Sequence, residues 1–249
     1  MIQLFESVKS AMERGENVVL CSILASSGSA PRGAGAKMAV FQNGQALGTI
    51  GGGAVERIAA RQAMGLFRTG ASYCQAFCLA PNQVNDIGMI CGGSVTVYFR
   101  FFDHENARDL ELVKTILELL ASGQDAWLVS RMEDGKITAM GTFDEAHGLR
   151  FAELDETMLR PWLTSSAVYR KGEPSYYVEP ISQAGRVYIF GGGHVGKALV
   201  PVLANVDFRV AVFDNRKDFA KPENYPAAEQ VIFGDYYHIE EKVHITERD

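Results

Sequence analysis

RVYIFGGGHVGKALVPVLANVDFRVAVFD, residues 186–214, is the stretch on which the reading of the fold turns. Arg186 to Phe190 is a short apolar strand, and Gly191-Gly192-Gly193-His194-Val195-Gly196 satisfies G-x-G-x-x-G directly after it. Lys197 to Asn205 reads as a helix and Phe208 to Phe213 as the next strand, with Asp214 standing 18 residues beyond Gly196, where a ribose-binding acid sits. Strand, glycine turn, helix, strand and acid agree on a dinucleotide-binding type βαβ fold, with Gly191, Gly193, Gly196 and Asp214 as its loop residues. His194 is expected only to cap or pack. A third strand is expected from Gln230 to Phe233, and the sequence reaches Asp249 before a second βαβ half. The unit therefore reads as a first half, either truncated or with its edge covered by a partner. Because an uncovered strand edge invites association, a homodimer is expected.

Upstream lies a different pattern. Ile2, Phe5, Val8 and Met12 suggest a first helix, and Val18 to Leu24 a buried strand. Met38 to Phe41 and Gln45 to Ile50 form a hairpin on Asn43-Gly44, followed by a helix from Ala54 to Phe67 and a strand from Tyr73 to Leu79. Ser94 to Phe102 is a strand and Asn106 to Ala121 a helix. Ala126 to Met132 and Lys136 to Phe143 make a second hairpin on Asp134-Gly135. Tyr177 to Gly185 reads as the exit from this domain. The expectation is an α+β domain over residues 1–180 and an α/β Rossmann-like unit over residues 185–249.

Composition narrows the function. The chain has 249 residues, 47% of them hydrophobic, a formal net charge of -6 and a sequence pI near 5.5. That charge supplies no basic footprint for a phosphate backbone, so nucleic acid is not expected as a partner. No apolar run approaches the roughly 20 residues needed to span a bilayer, and the first residues form an amphipathic helix pattern and not a signal peptide. No membrane partner is expected, and the cytoplasm is the expected compartment.

Eight of the 25 glycines fall between Gly28 and Gly53, enclosing Pro31, Arg32 and Lys37 and ending in Gly51-Gly52-Gly53 ahead of a helix. Glycine loses the most backbone entropy on ordering, so this density belongs where the chain turns sharply or approaches a ligand closely. The backbone N–H groups of Gly51, Gly52 and Gly53 could bind an anion, with Arg32 and Lys37 as countercharge; the alternative is a pair of tight turns and a glycine-rich helix start. Glu56, in the first turn of the helix, reads as a dipole-favoured cap or a solubilising residue.

Four cysteines are present: Cys21, Cys74, Cys78 and Cys91. Cys74 and Cys78 share one face of a strand, lack the spacing of a zinc site and read as small buried hydrophobes. Cys91 precedes Gly92-Gly93 on a glycine turn. It could act as a nucleophile, a metal ligand or a sulfur carrier, or lie inert at a strand start.

SSGSAPRGAGAKM at residues 26–38, LGTIGGGAVE at 47–56, MICGG at 89–93 and the glycine-rich C-terminal unit, in that order, resemble the XdhC/CoxI family of xanthine dehydrogenase accessory proteins. The resemblance spans residues 20–100 and 185–235. It implies a molybdenum cofactor (molybdopterin) chaperone that protects the cofactor, supports its sulfuration with a cysteine desulfurase and inserts it into a xanthine dehydrogenase-type molybdoenzyme. Under that implication Arg32, Lys37 and Gly51 to Gly53 hold anionic groups, while Cys91, beside Gly92 and Gly93, touches molybdenum or sulfur. Such a chain is a maturation factor more than an enzyme. Two other readings stay open: an NAD(P)-dependent oxidoreductase resting on the G-x-G-x-x-G unit, for which no catalytic acid or base is identifiable, and a structural subunit of a dehydrogenase complex.

Overall fold

The computed structural model describes residues 1–27, 33–78, 94–181, 185–205 and 208–245. Its contacts divide into two units, residues 1–182 and 183–249. The first begins with α1 (Ile2–Glu13), whose buried residues Leu4, Phe5, Val8, Ala11 and Met12 recur at helical spacing on one stripe. After Gly15, at φ +83°, the chain enters β1 (Val18–Ser27), then β2 (Lys37–Phe41) and β3 (Ala46–Gly48). The hairpin expected on Asn43-Gly44 forms, with Gly44 at φ +83°.

Helix α2 (Gly53–Leu66) leads to β4 (Tyr73–Cys78), β5 (Ser94–Phe102) and α3 (Ala107–Ser122). Asn106 caps α3 by accepting from the Arg108 amide, and Gly123 ends it in the left-handed conformation. β6 (Ala126–Glu133) and β7 (Lys136–Asp144) meet at Asp134 and Gly135, both at positive φ as the tight hairpin turn requires. Residues 144–175, for which the sequence offered no reading, supply β8 (Gly148–Arg150), α4 (Glu156–Leu159) and β9 (Val168–Arg170).

The segment read as the domain exit opens as a strand, β10 (Ser175–Pro180), paired with β6 on one side and β9 on the other, and the boundary between the two units falls just after it. Glu179-Pro180 is a turn signal in sequence, but Pro180 occupies the last strand position, where its missing N–H is tolerated. The strands form one antiparallel sheet in the order β3-β2-β1-β5-β4-β7-β6-β10-β9, with β8 on β7. One face packs on α1 and α3 around Phe5, Val8, Leu20, Tyr98, Phe102, Ile116 and Tyr177. The opposite face of β1, β2 and β5 packs on α2 through Val19, Ile23, Val40, Val55, Ala59 and Phe99. β1 alternates between these two cores from Val18 to Ile23, before the irregularity between Ile23 and Ala25, and each fully buried Val, Leu or Phe contributes about 1.5–3 kcal/mol.

The second unit is a three-stranded parallel sheet, β11 (Arg186–Phe190), β12 (Arg209–Asp214) and β13 (Gln230–Phe233), in the order β11-β12-β13. Helix α5 (His194–Asn205) makes the crossover from β11 to β12. It begins at His194, three residues before the expected start, because the glycine turn runs straight into the helix. β12 is central and almost wholly buried, while β11 is only partly so.

Candidate functional site

Strand register brings the glycine-rich segments of the first unit to one end of the sheet. Ser22 of β1 pairs with Lys37 of β2, and Met38 of β2 with Gly48 of β3. Ser27 of β1 and Cys78 of β4 both lie opposite Ser94 of β5. The chain thus leaves β1, β3 and β4, and enters β2 and β5, along the same edge. Four sequence-predicted site residues, Arg32, Cys91, Gly92 and Gly93, lie outside the described residues; their bracketing residues Ser27, Gly33, Cys78 and Ser94 belong to this edge.

The Gly51–Gly53 turn has φ values of +123°, +76° and +63°, a run that only glycine adopts without strain. The amides of Gly51 and Gly52 are engaged within the chain. Glu56 Oε1 accepts from the Gly52 N–H at 2.7 Å, from the Ile50 N–H at 3.0 Å and from the Thr49 hydroxyl, and Thr49 Oγ1 accepts from the Gly51 N–H at 3.1 Å. Burial pushes the Glu56 carboxyl up, but the hydrogen bonds from Thr49, Gly52, Ile50 and Gly51 outweigh it and hold the group ionised below the usual range. The turn is a nest around the chain's own carboxylate, and the expectation that Gly51 and Gly52 offer free donors is corrected accordingly. An intramolecular carboxylate four residues along the helix is always at hand, and it reaches the amides first. Among the described residues, no atom outside the adjoining chain lies within 4 Å of where a Cβ on Gly52 would stand, and the same holds at Gly33.

Lys37 also departs from its expected role as countercharge. It is buried, its ammonium donating to Glu179 Oε2 at 2.6 Å and to the Gly35 carbonyl at 3.1 Å. Glu179 and Tyr177, which complete this arrangement from β10, carried no signal in sequence because they stand 140 or more residues away from Lys37 along the chain. The described cysteine side chains are inert: burial raises the Cys21 thiol far above its normal range and lifts Cys74 to about 11, with Cys74 Sγ 3.4 Å from Met132 Sδ. Cys74, expected as a small buried hydrophobe, packs against the core but is only partly buried. The side chain of Cys78 lies outside the described residues. Among the described residues, no group of three or more His, Cys, Asp or Glu side chains could hold a metal ion, and no helix is long and apolar enough to cross a membrane.

In the second unit each fingerprint glycine has its own physical reason. Gly191 turns at φ +115°; Gly193 has no atom of the described residues beyond its chain neighbours within 4 Å of a would-be Cβ, so a ligand could approach its backbone; Gly196 would place a Cβ 2.4 Å from the Gly191 carbonyl oxygen. Asp214 stands at the end of β12 as expected, but its oxygens are in use. Oδ2 accepts from the Gly192 N–H and from Arg216 Nη2, both at 2.7 Å, and Oδ1 accepts from Arg216 N at 2.8 Å and Nε at 2.9 Å. The Arg216 guanidinium, followed by its amide and that of Gly192, holds the Asp214 carboxyl down at about 2. Tyr225 donates to the Gly192 carbonyl and closes the turn from the other side.

Comparison with known proteins places these features in a family. Residues 11–77 match the model of the XdhC and CoxI family, and residues 187–248 match that of the XdhC Rossmann domain. A protein of Bacillus subtilis (strain 168), named as a probable xanthine dehydrogenase subunit, is 25% identical over 226 residues, covering 89% of this chain and 66% of its own length. The chain therefore spans just under two thirds of that relative. A crystal structure described as a xanthine dehydrogenase from Bacillus halodurans aligns over 100% of this chain and 72% of its own, with a TM-score of 0.79 and 20% identity. At that identity the match shows the fold, mixed α/β with a Rossmann unit.

Proposed function

Because the chain belongs to the XdhC and CoxI family, we propose that it is an accessory factor for a xanthine dehydrogenase-type molybdoenzyme, one that holds the molybdenum cofactor, supports its sulfuration with a cysteine desulfurase and inserts it. The observation that carries this reading is the convergence of β1, β2, β3, β4 and β5 on one end of the sheet, which gathers the brackets of the Arg32 and Cys91 segments beside the Gly51–Gly53 turn.

The described residues offer the cofactor open backbone more than free charge. Gly33 and Gly52 leave open surface for close approach, whereas Lys37 and the Gly52 amide are already engaged. Arg32 is then the residue left to meet a phosphate, and Cys91 the one left to meet molybdenum or sulfur, for which a soft thiolate is suited. When bound, the cofactor would supply a metal able to exchange an oxo for a sulfido ligand. The chain's part is to hold it and exclude water. A homodimer, consistent with the partly exposed β11 edge, belongs to the same proposal.

Protein purified from a molybdenum-replete host is expected to carry molybdenum and a pterin and to activate a cofactor-free molybdoenzyme. Cys91→Ala is expected to stay folded and lose retention or sulfuration, while Cys74→Ala keeps both. Equal cofactor transfer by folded Cys91→Ala and wild-type protein would remove Cys91 from the proposal. Absence of molybdenum together with absence of transfer would remove the function.

A further inference from the structure

Strand pairing lines up Tyr98 of β5, Ser22 of β1 and Lys37 of β2 in one cross-strand row on the face that carries α1 and α3. Tyr177 and Glu179 reach this row from β10, although β10 lies five places from β1 in the strand order. All five side chains are buried, Lys37 at 8% exposure being the least so. Lys37 Nζ joins Glu179 Oε2 at 2.6 Å and the Gly35 carbonyl at 3.1 Å. The Tyr177 hydroxyl lies 3.1 Å from the same carboxylate oxygen and 3.2 Å from the Ile23 carbonyl, and its one proton is shared between them. Burial and the neighbouring carboxylate keep that phenol protonated, so it acts as a donor.

The same Ile23 carbonyl accepts the Gly35 N–H at 2.9 Å, and the Ile23 N–H donates to the Ala36 carbonyl at 2.9 Å. Gly35 lies beside the carboxylate, a Cβ there standing in ordinary contact at 3.4 Å from Glu179 Oε2, and its φ of +91° is a conformation that favours glycine. Gly35, Ala36 and Lys37 are therefore tied to β1 and β10 through backbone and side chain at once. A fully buried ion pair adds little net stability over apolar residues of similar size, because removing two charges from water offsets their attraction. Glu179 Oε1 sharpens the point, being buried with no hydrogen-bond partner among the described residues. An arrangement costly to the core and joined to one short segment is explained by where it puts that segment.

We propose that the Lys37–Glu179 pair, with Tyr177, is the pin that sets the conformation of Gly35–Lys37 and so positions the glycine-rich edge of the sheet for its ligand. Lys37 and Glu179 are positioning residues; they do not themselves meet the cofactor. What the edge holds rests on the function proposed above, and the pin itself does not.

The test is the double variant Lys37→Met/Glu179→Met, which removes both charges together. Three quantities are read on the full chain: the thermal midpoint, hydrogen exchange at the Gly35 amide, and the rate at which the molybdenum cofactor dissociates. The pin predicts a midpoint close to wild type, exchange at Gly35 at least tenfold faster, and cofactor dissociation faster by a similar factor. Val113→Ala, on the buried face of α3, serves as the control: it lowers the midpoint and leaves dissociation unchanged, which a merely stabilising role for the pair would not allow. Tyr177→Phe, losing one hydroxyl, keeps the proposal open to refutation if the double variant does not fold, and is expected to give the same accelerations at smaller size. Unchanged exchange at Gly35 in either folded variant overturns the pin, and faster exchange with unchanged dissociation overturns its positioning role. A wild-type chain that binds no cofactor refutes the proposed function instead, and the exchange measurement still decides whether the pin exists.

Discussion

The two glycine turns of this chain use the same device with different consequences. In the first unit the Gly52 N–H donates to Glu56 at 2.7 Å ahead of α2; in the second the Gly192 N–H donates to Asp214 at 2.7 Å ahead of α5. In both, a carboxylate of the chain itself occupies the place where backbone donors would otherwise bind a ligand's anion. They differ in what surrounds the nest. Glu56 meets only amides and a hydroxyl, and the surface above Gly52 is open. Asp214 is clamped by the Arg216 guanidinium, and the position of a Cβ on Gly192 would lie 2.1 Å from the Tyr225 hydroxyl. The carboxylate-bound glycine is open in the first turn and packed in the second, where only Gly193 beside it stays open.

The largest effect expected from this contrast is at Gly192. Gly192→Ala must displace the buried Tyr225 ring, whose Cζ would also lie at 3.0 Å, and overpacking of this kind costs about 1–3 kcal/mol. The upper half of that range is expected because the hydroxyl also bonds the Gly192 carbonyl. Adding Tyr225→Phe removes the closest clash and should recover part of the loss, so that the double variant unfolds less readily than the sum of the singles predicts. Denaturant unfolding followed by a probe in the second unit measures this. Strict additivity would mean that Tyr225 and Gly192 do not touch as described.

At Gly52 the expectation is reversed, with function affected more than packing. Gly52→Val projects its side chain into open space and strains a backbone at φ +76°, a cost of about 1–3 kcal/mol if the turn does not relax. A branched side chain there blocks approach to the turn, so cofactor retention should fall at least about tenfold, equivalent to about 1.4 kcal/mol. A folded Gly52→Val protein with wild-type retention would show that the open surface is not the ligand's, and the two turns would then differ only in packing.

How far this contrast could be read from sequence depends on the range of the interactions. Both glycine turns, both hairpins and the parallel second unit follow from local pattern, since strand period, Asn-Gly and Asp-Gly turns and the strand-glycine-helix order act within a few residues. The partners that decide what the turns do are not local. Tyr225 meets Gly192 across 33 positions and Glu179 meets Lys37 across 142, and no periodicity encodes such pairs. Glu56 was within reach of pattern reading, four residues from Gly52, yet a glutamate in a first helical turn ordinarily serves the helix dipole. Its retention by four neighbouring groups becomes visible only once the turn is folded. β10 was hidden for a related reason, since Glu179-Pro180 signals a turn and only the pairing with β6 and β9 makes the residues before it a strand.

The smallest effect concerns nucleotides at the second turn, where fingerprint and geometry disagree. Gly191, Gly193 and Gly196 satisfy the conformational needs of a dinucleotide loop, but a ribose needs the carboxylate of Asp214 as an acceptor, and Arg216 already holds both of its oxygens. A ribose must displace that guanidinium and exchange a bidentate ion pair for hydroxyl donors that carry no charge of their own. Calorimetric titration of the wild-type chain with NAD and NADP should therefore give millimolar dissociation constants. Arg216→Ala frees the acid and should tighten NAD binding a few-fold, a change of under about 1 kcal/mol, while leaving NADP weak because its 2′-phosphate would then face an unpaired carboxylate. Micromolar NAD binding to the wild-type chain would contradict the clamp and bring the oxidoreductase reading forward. An Arg216→Ala variant that gains nothing would place the obstacle at Tyr225 and the packed face of the turn, and not at the acid.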